Sequence, residues 1–257
     1  MIWFDSHTHL DAEKFNDDRE EVITRALDKG VHFMMNPGAD LSSSKAAVEL
    51  ASTHEGIYAA VGVHPHDTDT MTDEVLAEIE SLAAHDKVMA IGEIGLDYFY
   101  EFSKKESQKV WFRKQLQLAK KLNLPVIIHD RDAHGDVMDI LTEEDSFATG
   151  VLLHCYSGSK ELAQEYVKKG ALISIAGPVT FKNARKTVEV VETIPLDKLL
   201  IETDSPYLTP VPNRGKRNES GYVPYVGQRI ADIKAIDVEE VARVTMDNTF
   251  RFFKILR

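Results

Sequence analysis

The sequence has little cysteine and no long apolar run, and each shortage argues against a class of protein. Its 257 residues include one cysteine, Cys155, so the chain forms no internal disulfide and suits a reducing compartment. No apolar stretch approaches the ~20 residues of a membrane-spanning helix. The N-terminal region has no basic segment followed by a long apolar run, so we expect no signal peptide. We therefore expect a soluble, cytoplasmic protein that does not associate with membranes.

Positive charge is also scarce. The chain carries 30 Lys and Arg against 42 Asp and Glu, which gives a formal net charge of −12. This balance argues against a protein that coats duplex nucleic acid, because such a protein needs many phosphate contacts. It allows a nuclease that holds a few phosphates with metal ions and local arginines. The sequence also lacks a P-loop, a GxGxxG fingerprint and the GxSxG turn of serine hydrolases.

Short apolar runs alternate with helix-like segments along the whole chain. This alternation predicts a parallel sheet covered by helices, and eight repeats over this length predict one (β/α)8 TIM barrel domain at residues 1–257. A doubly wound open sheet is the alternative, because a strand count does not prove closure. The segment from about Tyr222 to Leu256 is predicted to add one or two C-terminal helices. The strand-like runs are IWFDSHTH, VHFMMNPGA, IYAAVGVH, VMAIGEIG, LPVIIHD, GVLLHCYSG, ALISIAG and KLLIETDSP.

Polar side chains stand where these apolar runs end. After IWF, residues Asp5, His7 and His9 alternate and therefore share one face of the strand. In a barrel, the carboxyl ends of all strands meet at one mouth, where barrel enzymes carry their chemistry. Imidazoles and carboxylates gathered there would be costly without a cation. The other strand-end residues of this kind are His64, Glu93, His129, His154 and Asp204.

The composition of this group predicts a metal centre. Nitrogen and oxygen ligands without thiolate suit Zn or Mn, whereas Mg fits so many imidazoles less well. Six predicted ligands are many for one ion and suit two divalent ions that share a carboxylate. The predicted ligands are His7, His9, Glu93, His129, His154 and Asp204.

Several residues near the same strand ends are candidate substrate contacts. Arg131 follows His129, and the loop after the last strand contains NRGKRN with Arg214, Lys216 and Arg217. Loops at this position often bind phosphate in barrels. Tyr98, followed by Phe99, comes after the strand of Glu93 and could stack on a base.

At these residues the chain resembles the TatD family of metal-dependent deoxyribonucleases, a branch of the amidohydrolase superfamily. The resemblance implies a (β/α)8 barrel with two metal ions that hydrolyses DNA phosphodiesters, often from the 3′ end. The motifs that carry it are FDSHTHLD, GVHPH, IGEIGLDY, PVIIHDRDA, LLHCYSGS, PVTFKNA, LLIETDSPYLTP and RGKRNES.

Residue by residue, the resemblance also implies roles. It places His7, His9, Glu93 and Asp204 on the first ion. It places Glu93, His129 and His154 on the second, so that Glu93 would bridge. His64 and Arg131 match further positions of the family's active site.

The resulting hypothesis is a 3′-end exonuclease that prefers single-stranded DNA, with Asp204 and Glu93 as its catalytic carboxylates. Asp204 would orient or deprotonate the attacking water. Phosphate oxygens would be held by His64, Arg131 and Arg214. Two alternatives stay open: a hydrolase of a small amide, lactone or other ester, and a metal-binding interaction protein without turnover. No segment of the sequence predicts a protein partner.

Overall fold

Eight short strands alternate with helices in the computed structural model, which describes residues 1–256. Four of the strands are buried at every residue, as expected for a parallel sheet covered on its outer face. The strands are β1 (Trp3–Asp5), β2 (Val31–Pro37), β3 (Ile57–Val61), β4 (Val88–Asp97), β5 (Val126–Arg131), β6 (Val151–Leu153), β7 (Leu172–Ile175) and β8 (Leu199–Ile201).

One α-helix follows each strand, and a further helix ends the described chain. The helices are α1 (Arg19–Asp28), α2 (Leu41–Thr53), α3 (Asp73–Leu82), α4 (Lys105–Leu122), α5 (His134–Glu143), α6 (Lys160–Lys168), α7 (Arg185–Thr193), α8 (Val223–Lys234) and α9 (Val238–Phe252). Both helices after β8 fall in the segment that the sequence assigns to C-terminal helices.

The strands form one parallel sheet in the order of the sequence, from β1 to β8. The chain after β1 also pairs with the chain at β8: the Ser6 N–H donates to the Ile201 carbonyl at 3.0 Å, and Thr8 pairs with Ser205. Sequential order with this return contact is the connectivity of a (β/α)8 barrel. The predicted fold class is confirmed, and the open doubly wound sheet is not observed.

Local sequence signals explain where several helices begin and end. At the start of α2, Asp40 accepts from the Ser43 N–H while the Ser43 hydroxyl accepts from the Asp40 N–H, which is a reciprocal capping box. Thr72 caps α3 through the Val75 N–H. Gly30 follows α1 with a φ of +83°, a left-handed conformation that glycine adopts without steric cost.

The chain divides into two compact units. The first unit comprises residues 1–36, 155–168 and those from Leu172 onwards, and it contains β1, most of β2, β7 and β8. The second comprises residues 37–154 and 169–171, and it contains β3, β4, β5 and β6. A single domain over 1–257 stays a prediction.

None of the helices that the structure describes has both the length and the apolar character required to cross a membrane.

Candidate metal centres and their surroundings

In the first unit, three of the predicted ligands form one cluster just beyond β1 and β8. His7 Nε2 lies 3.2 Å from His9 Nε2, and these two atoms lie 3.9 Å and 3.5 Å from Asp204 Oδ1. His7 is fully buried, whereas His9 and Asp204 keep partly exposed side chains. We call His7, His9 and Asp204 the first cluster; its donor atoms all lie within 4.8 Å of one another.

The backbone of Asp204 is held in an uncommon conformation. Its φ is +55°, in the left-handed region that non-glycine residues seldom adopt. The Asp204 N–H donates to the His7 carbonyl at 2.9 Å, which fixes the carboxylate beside the imidazoles. Strained backbone of this kind persists where surrounding contacts hold it and is concentrated at functional sites.

Asp5 shares the strand face of His7 and His9 but does not join their cluster. Its carboxylate accepts from the Thr203 N–H at 2.8 Å and from the Thr203 hydroxyl at 2.6 Å. Complete burial raises the pKa of Asp5 to about 7, although these hydrogen bonds oppose the shift. Asp5 therefore anchors the chain after β8 in the first unit.

In the second unit, imidazole nitrogens surround the buried carboxylate of Glu93. His129 Nδ1 and His154 Nε2 each lie 2.8 Å from Glu93 Oε1, and His64 Nε2 lies 3.4 Å from it. His129 Nδ1 and His154 Nε2 are 3.4 Å apart. We call Glu93, His129, His154 and His64 the second cluster.

The electrostatics of the second cluster favour positive charge beside Glu93. Burial alone would raise the pKa of Glu93, but His154, His64 and His129 together lower it well below its usual value. Burial alone would lower the pKa of His129, but its hydrogen bonds to Asp97 and Glu93 outweigh burial and raise that pKa. An ionised carboxylate is thus stable here only because partly positive groups surround it.

His64 differs from the other two imidazoles in its hydrogen bonding. Its Nδ1 accepts from the His66 N–H at 3.1 Å, which places the proton of a neutral ring on Nε2, facing Glu93. Burial, together with the neighbouring His129, lowers the pKa of His64 to about 4, so the ring is neutral at physiological pH. The one N–H of this ring therefore faces Glu93, and the contact of His64 with a phosphate oxygen stays a prediction.

Both clusters have the donor chemistry of a divalent metal site. In the first, two imidazole nitrogens stand 3.2 Å apart beside a carboxylate. In the second, two imidazole nitrogens crowd one carboxylate oxygen at 2.8 Å. Imidazole and carboxylate groups without thiolate are the ligands of Zn and similar first-row ions. The residues present therefore fit such ions.

Asp97, which the sequence reasoning passed over, supports the second cluster from behind. Its Oδ2 lies 3.0 Å from His129 Nε2 and 2.9 Å from His66 Nε2. Burial alone would raise the pKa of Asp97, but His129, the Tyr100 N–H and His66 hold it well below its usual range. A carboxylate behind a ligand histidine fixes the ring's orientation and tautomer and makes it a better ligand. Glu93, Gly95 and Asp97 alternate in IGEIGLDY, and this spacing is the signal that could have identified Asp97.

Gly95 allows β4 to approach β5 closely at this point. It pairs with His129 in the parallel ladder, and a Cβ at Gly95 would lie 2.0 Å from the His129 carbonyl oxygen. Its φ of +146° also disfavours other residues. Glycine here therefore keeps His129 in position.

Glu202 is a second buried carboxylate that the sequence reasoning missed. It is fully buried in the first unit, and its Oε1 accepts from the Cys155 N–H at 2.7 Å. The run LLIETD places Glu202 two residues before Asp204, so the alternation that identified His7 and His9 applies here as well. Glu202 anchors the chain that follows β6.

The predicted substrate contacts Arg131 and Tyr98 have different surroundings. The Arg131 guanidinium lies 4.2 Å from the ring centre of Phe99, and no carboxylate among residues 1–256 pairs with it. The Tyr98 hydroxyl donates to Asp136 at 2.5 Å, and Lys105 lies 4.5 Å from its ring centre. Tyr98 is thus engaged within the protein, and its role in substrate binding stays a prediction.

The arginines of the loop after β8 also differ from each other. Arg214 is exposed and rests on the Phe181 ring at 4.2 Å. Arg217 forms two hydrogen bonds with Asp18, at 2.8 Å and 2.6 Å, and its pKa is raised by that pairing. Arg217 therefore holds the loop against the residues before α1, whereas the guanidinium group of Arg214 stays exposed.

Comparison with known proteins agrees with this geometry. Residues 4–254 match the family described as TatD related DNase. The chain is 51% identical, over 98% of its length and 99% of the relative's, to an uncharacterized metal-dependent hydrolase, YabD, of Bacillus subtilis. It is 38% identical, over 98% of its length and 99% of the relative's, to a protein of Shigella flexneri named 3′-5′ ssDNA/RNA exonuclease TatD.

A solved structure shows the same fold. The TatD homologue YJJV from Escherichia coli superposes with a TM-score of 0.93 at 31% identity, covering 99% of this chain and 98% of the other. A family match over nearly the whole chain, together with relatives of full length, establishes membership. The chain belongs to the TatD-related DNase family of metal-dependent hydrolases.

Proposed function

We propose that this protein is a two-metal nuclease that removes nucleotides from the 3′ ends of single-stranded DNA in the cytoplasm. The observation that carries the proposal is the presence of two nitrogen-and-oxygen donor clusters at the strand ends. The family's description and the name of the Shigella relative support a nucleic-acid substrate. The single cysteine supports a reducing compartment.

Each cluster would hold one ion. His7, His9 and Asp204 would hold the first, while Glu93, His129 and His154 would hold the second. That Glu93 also binds the first ion stays a prediction of the family resemblance. When bound, such ions polarise the phosphate and lower the pKa of a coordinated water.

Asp204 is the candidate proton acceptor, because it is the partly exposed carboxylate of the two clusters. It would take a proton from the water whose oxygen bonds to phosphorus. As the bond between phosphorus and the 3′ oxygen breaks, the same proton would pass to that oxygen. Hydrolysis in this direction releases a 5′-nucleotide and leaves a new 3′ hydroxyl on the strand.

Phosphate binding would fall to a small number of donors. We assign nonbridging oxygens to His64 and to the guanidinium groups of Arg131 and Arg214. With a net charge of −12, the rest of the protein repels a long polyanion. Single-stranded ends should therefore be preferred to internal duplex sites, and the salt dependence should be shallow because few counterions are released.

The test is digestion of matched substrates by metal-reconstituted protein. The panel contains end-labelled single-stranded DNA, RNA, blunt duplex, closed circular duplex and small esters, amides and lactones, each across a salt series. We expect shortening of single strands from the 3′ end, abolished by a chelator and restored by Mn or Zn. Equal cleavage of closed circles with a steep salt slope, or turnover of small substrates alone, would contradict the proposal.

A further inference from the structure

We propose that Phe99, Tyr100 and Phe102 form a stacking platform for an unpaired nucleobase of the substrate strand. We call these three residues the aromatic platform. The inference rests on the nuclease function proposed above and adds a subsite that binds bases rather than phosphates.

The aromatic platform is an unusual surface feature. It lies in the loop between β4 and α4, and its side chains are 56%, 46% and 68% exposed. Aromatic side chains of this size are normally buried, and a contiguous exposed group of them indicates a binding surface. The sequence alone pointed to Tyr98 and Phe99, whereas the exposed rings extend from Phe99 to Phe102.

The rings are arranged as a stack rather than as a loose patch. Tyr100 and Phe102 lie nearly parallel, with an interplanar angle of 11° and ring centres 5.3 Å apart. Phe99 meets Tyr100 edge to face at 4.8 Å, and the Arg131 guanidinium lies 4.7 Å from the Tyr100 ring centre. Parallel aromatic rings beside a guanidinium group are the surface on which proteins stack unpaired bases.

The aromatic platform is joined to the second cluster through Asp97. The Phe99 and Tyr100 N–H groups donate to Asp97 Oδ1 at 3.0 Å and 2.9 Å, while Asp97 Oδ2 faces His129. The His66 ring, which also faces Asp97, lies 4.8 Å from the Phe102 ring. One buried carboxylate therefore positions a predicted metal ligand and the loop that carries the rings.

The size and charge of the aromatic platform favour a base as its occupant. Three side chains provide too little area for a stable protein interface, which buries on the order of 1,000 Å² or more. The nearby acidic residue of the loop, Glu101, is paired with Lys105 at 3.0 Å, and the guanidinium of Arg131 places a cation 4.7 Å from the Tyr100 ring. Bases within a duplex already stack on both faces, so the occupant is an unpaired base.

The experiment uses full-length, metal-reconstituted protein and a phosphorothioate-linked single strand that resists hydrolysis. The strand carries 2-aminopurine at each of its last few positions in turn, and quenching of its fluorescence reports stacking. We expect quenching at one or two positions. Tyr100→Leu and Phe102→Leu should remove it and weaken binding about tenfold, the loss expected when one base no longer stacks on an aromatic ring.

Two variants control for indirect effects. Phe102→Trp keeps an aromatic ring and should retain the quenching. Tyr225→Leu removes a half-exposed tyrosine of α8 in the first unit, and it should change nothing. Equal quenching in wild type and both leucine variants, or no quenching at any position, would overturn the proposal and leave a protein partner as the occupant to test.

A second measurement separates this inference from the proposed function. Hydrolysis of an ordinary strand is compared with hydrolysis of a strand that lacks the base at the quenched position. Wild type should show a KM about tenfold higher for the abasic strand, and Phe102→Leu should not distinguish the two. Hydrolysis of both strands with equal KM would overturn the platform alone, whereas hydrolysis of neither would overturn the nuclease function.

Discussion

The two candidate metal-ligand clusters use similar residues but are built differently. In the first, the donor atoms of His7, His9 and Asp204 are spaced by 3.2–3.9 Å, and two of the side chains are partly exposed. In the second, His129 and His154 approach the buried Glu93 oxygen at 2.8 Å, and Asp97 holds His129 from behind. The carboxylate of the first cluster is partly exposed and its donor atoms are loosely spaced, whereas the carboxylate of the second is buried, closely approached by imidazoles and supported by Asp97.

This difference suggests a division of labour. A partly exposed carboxylate such as Asp204 can reach water and move a proton, but a loosely spaced cluster holds an ion less firmly. A cluster around a buried carboxylate, with further hydrogen bonds that fix its ligands, is preorganised for its ion. We therefore expect the chemical step to depend most on Asp204 and ion retention to depend most on Asp97.

The largest effect should come from Asp204→Asn. The variant keeps the volume of the side chain but removes its charge and its capacity to accept the proton. We expect hydrolysis to fall by at least about 10²–10⁴-fold, with a melting transition close to that of the wild type. The measurement is initial rate on single-stranded DNA together with thermal melting. A rate near that of the wild type would remove Asp204 from the mechanism and break the division of labour.

Asp97→Asn should act on ion retention instead. Without the carboxylate, His129 loses the partner that fixes its ring, so metal affinity of the second cluster should fall about 10–100-fold. The matched control is Asp136→Asn, which alters a carboxylate of the same unit that contacts Tyr98 and Lys109 rather than a predicted ligand. Calorimetric titration with the metal measures the affinity of both variants. Equal affinities in the two variants would show that Asp97 does not support the cluster.

A smaller effect separates the two arginines of the loop after β8. Arg214→Ala should weaken DNA binding several-fold, since it removes about one phosphate contact, and should leave melting unchanged because the side chain is exposed. Arg217→Ala should lower the melting temperature slightly, because exposed ion pairs contribute about 0–1 kcal/mol. Binding and melting are measured for both variants. The reverse pattern would mean that Arg217, rather than Arg214, contacts the strand.

The smallest effect concerns acid stability away from both clusters. Hydrogen bonds from Arg217, assisted by Arg25, lower the pKa of Asp18 to about 2. Because the unfolded pKa is about 3.9, this stabilisation is complete above that pH and is lost as pH falls through about 2. Asp18→Asn should remove that part of the acid dependence and leave metal affinity unaltered. Denaturant unfolding of Asp18→Asn and of the wild type across acidic pH measures this dependence of stability on pH. An unchanged dependence in the variant would contradict the assignment.

Simple periodicity predicts much of this molecule. Alternation of strands and helices indicates the barrel class, and the polar residues at the ends of five strands identify His7, His9, Glu93, His129, His154 and Asp204 as one group. The structure places them in two clusters, one in each unit. Because chain direction and the pleat of a strand determine where such side chains point, the sequence indicates which of them gather at strand ends, and their binding of metal stays a prediction.

Other features depend on contacts that no local pattern encodes. Asp97 lies four residues after Glu93 and Glu202 lies two residues before Asp204, and choosing a single polar residue at those two strand ends missed them. The pairing of Arg217 with Asp18 joins positions 199 residues apart. The Tyr98 hydroxyl likewise finds Asp136 on another element. Whether a cation is exposed or paired is thus set by tertiary packing.

The most direct test of the central claim is elemental analysis of reconstituted protein, combined with hydrolysis of a 3′-labelled single strand. We predict two divalent ions per wild-type chain and one in the His7→Asn, His9→Asn double variant, with hydrolysis lost when ions are removed and regained when they are restored. Full hydrolysis by protein shown to contain no metal would contradict the account.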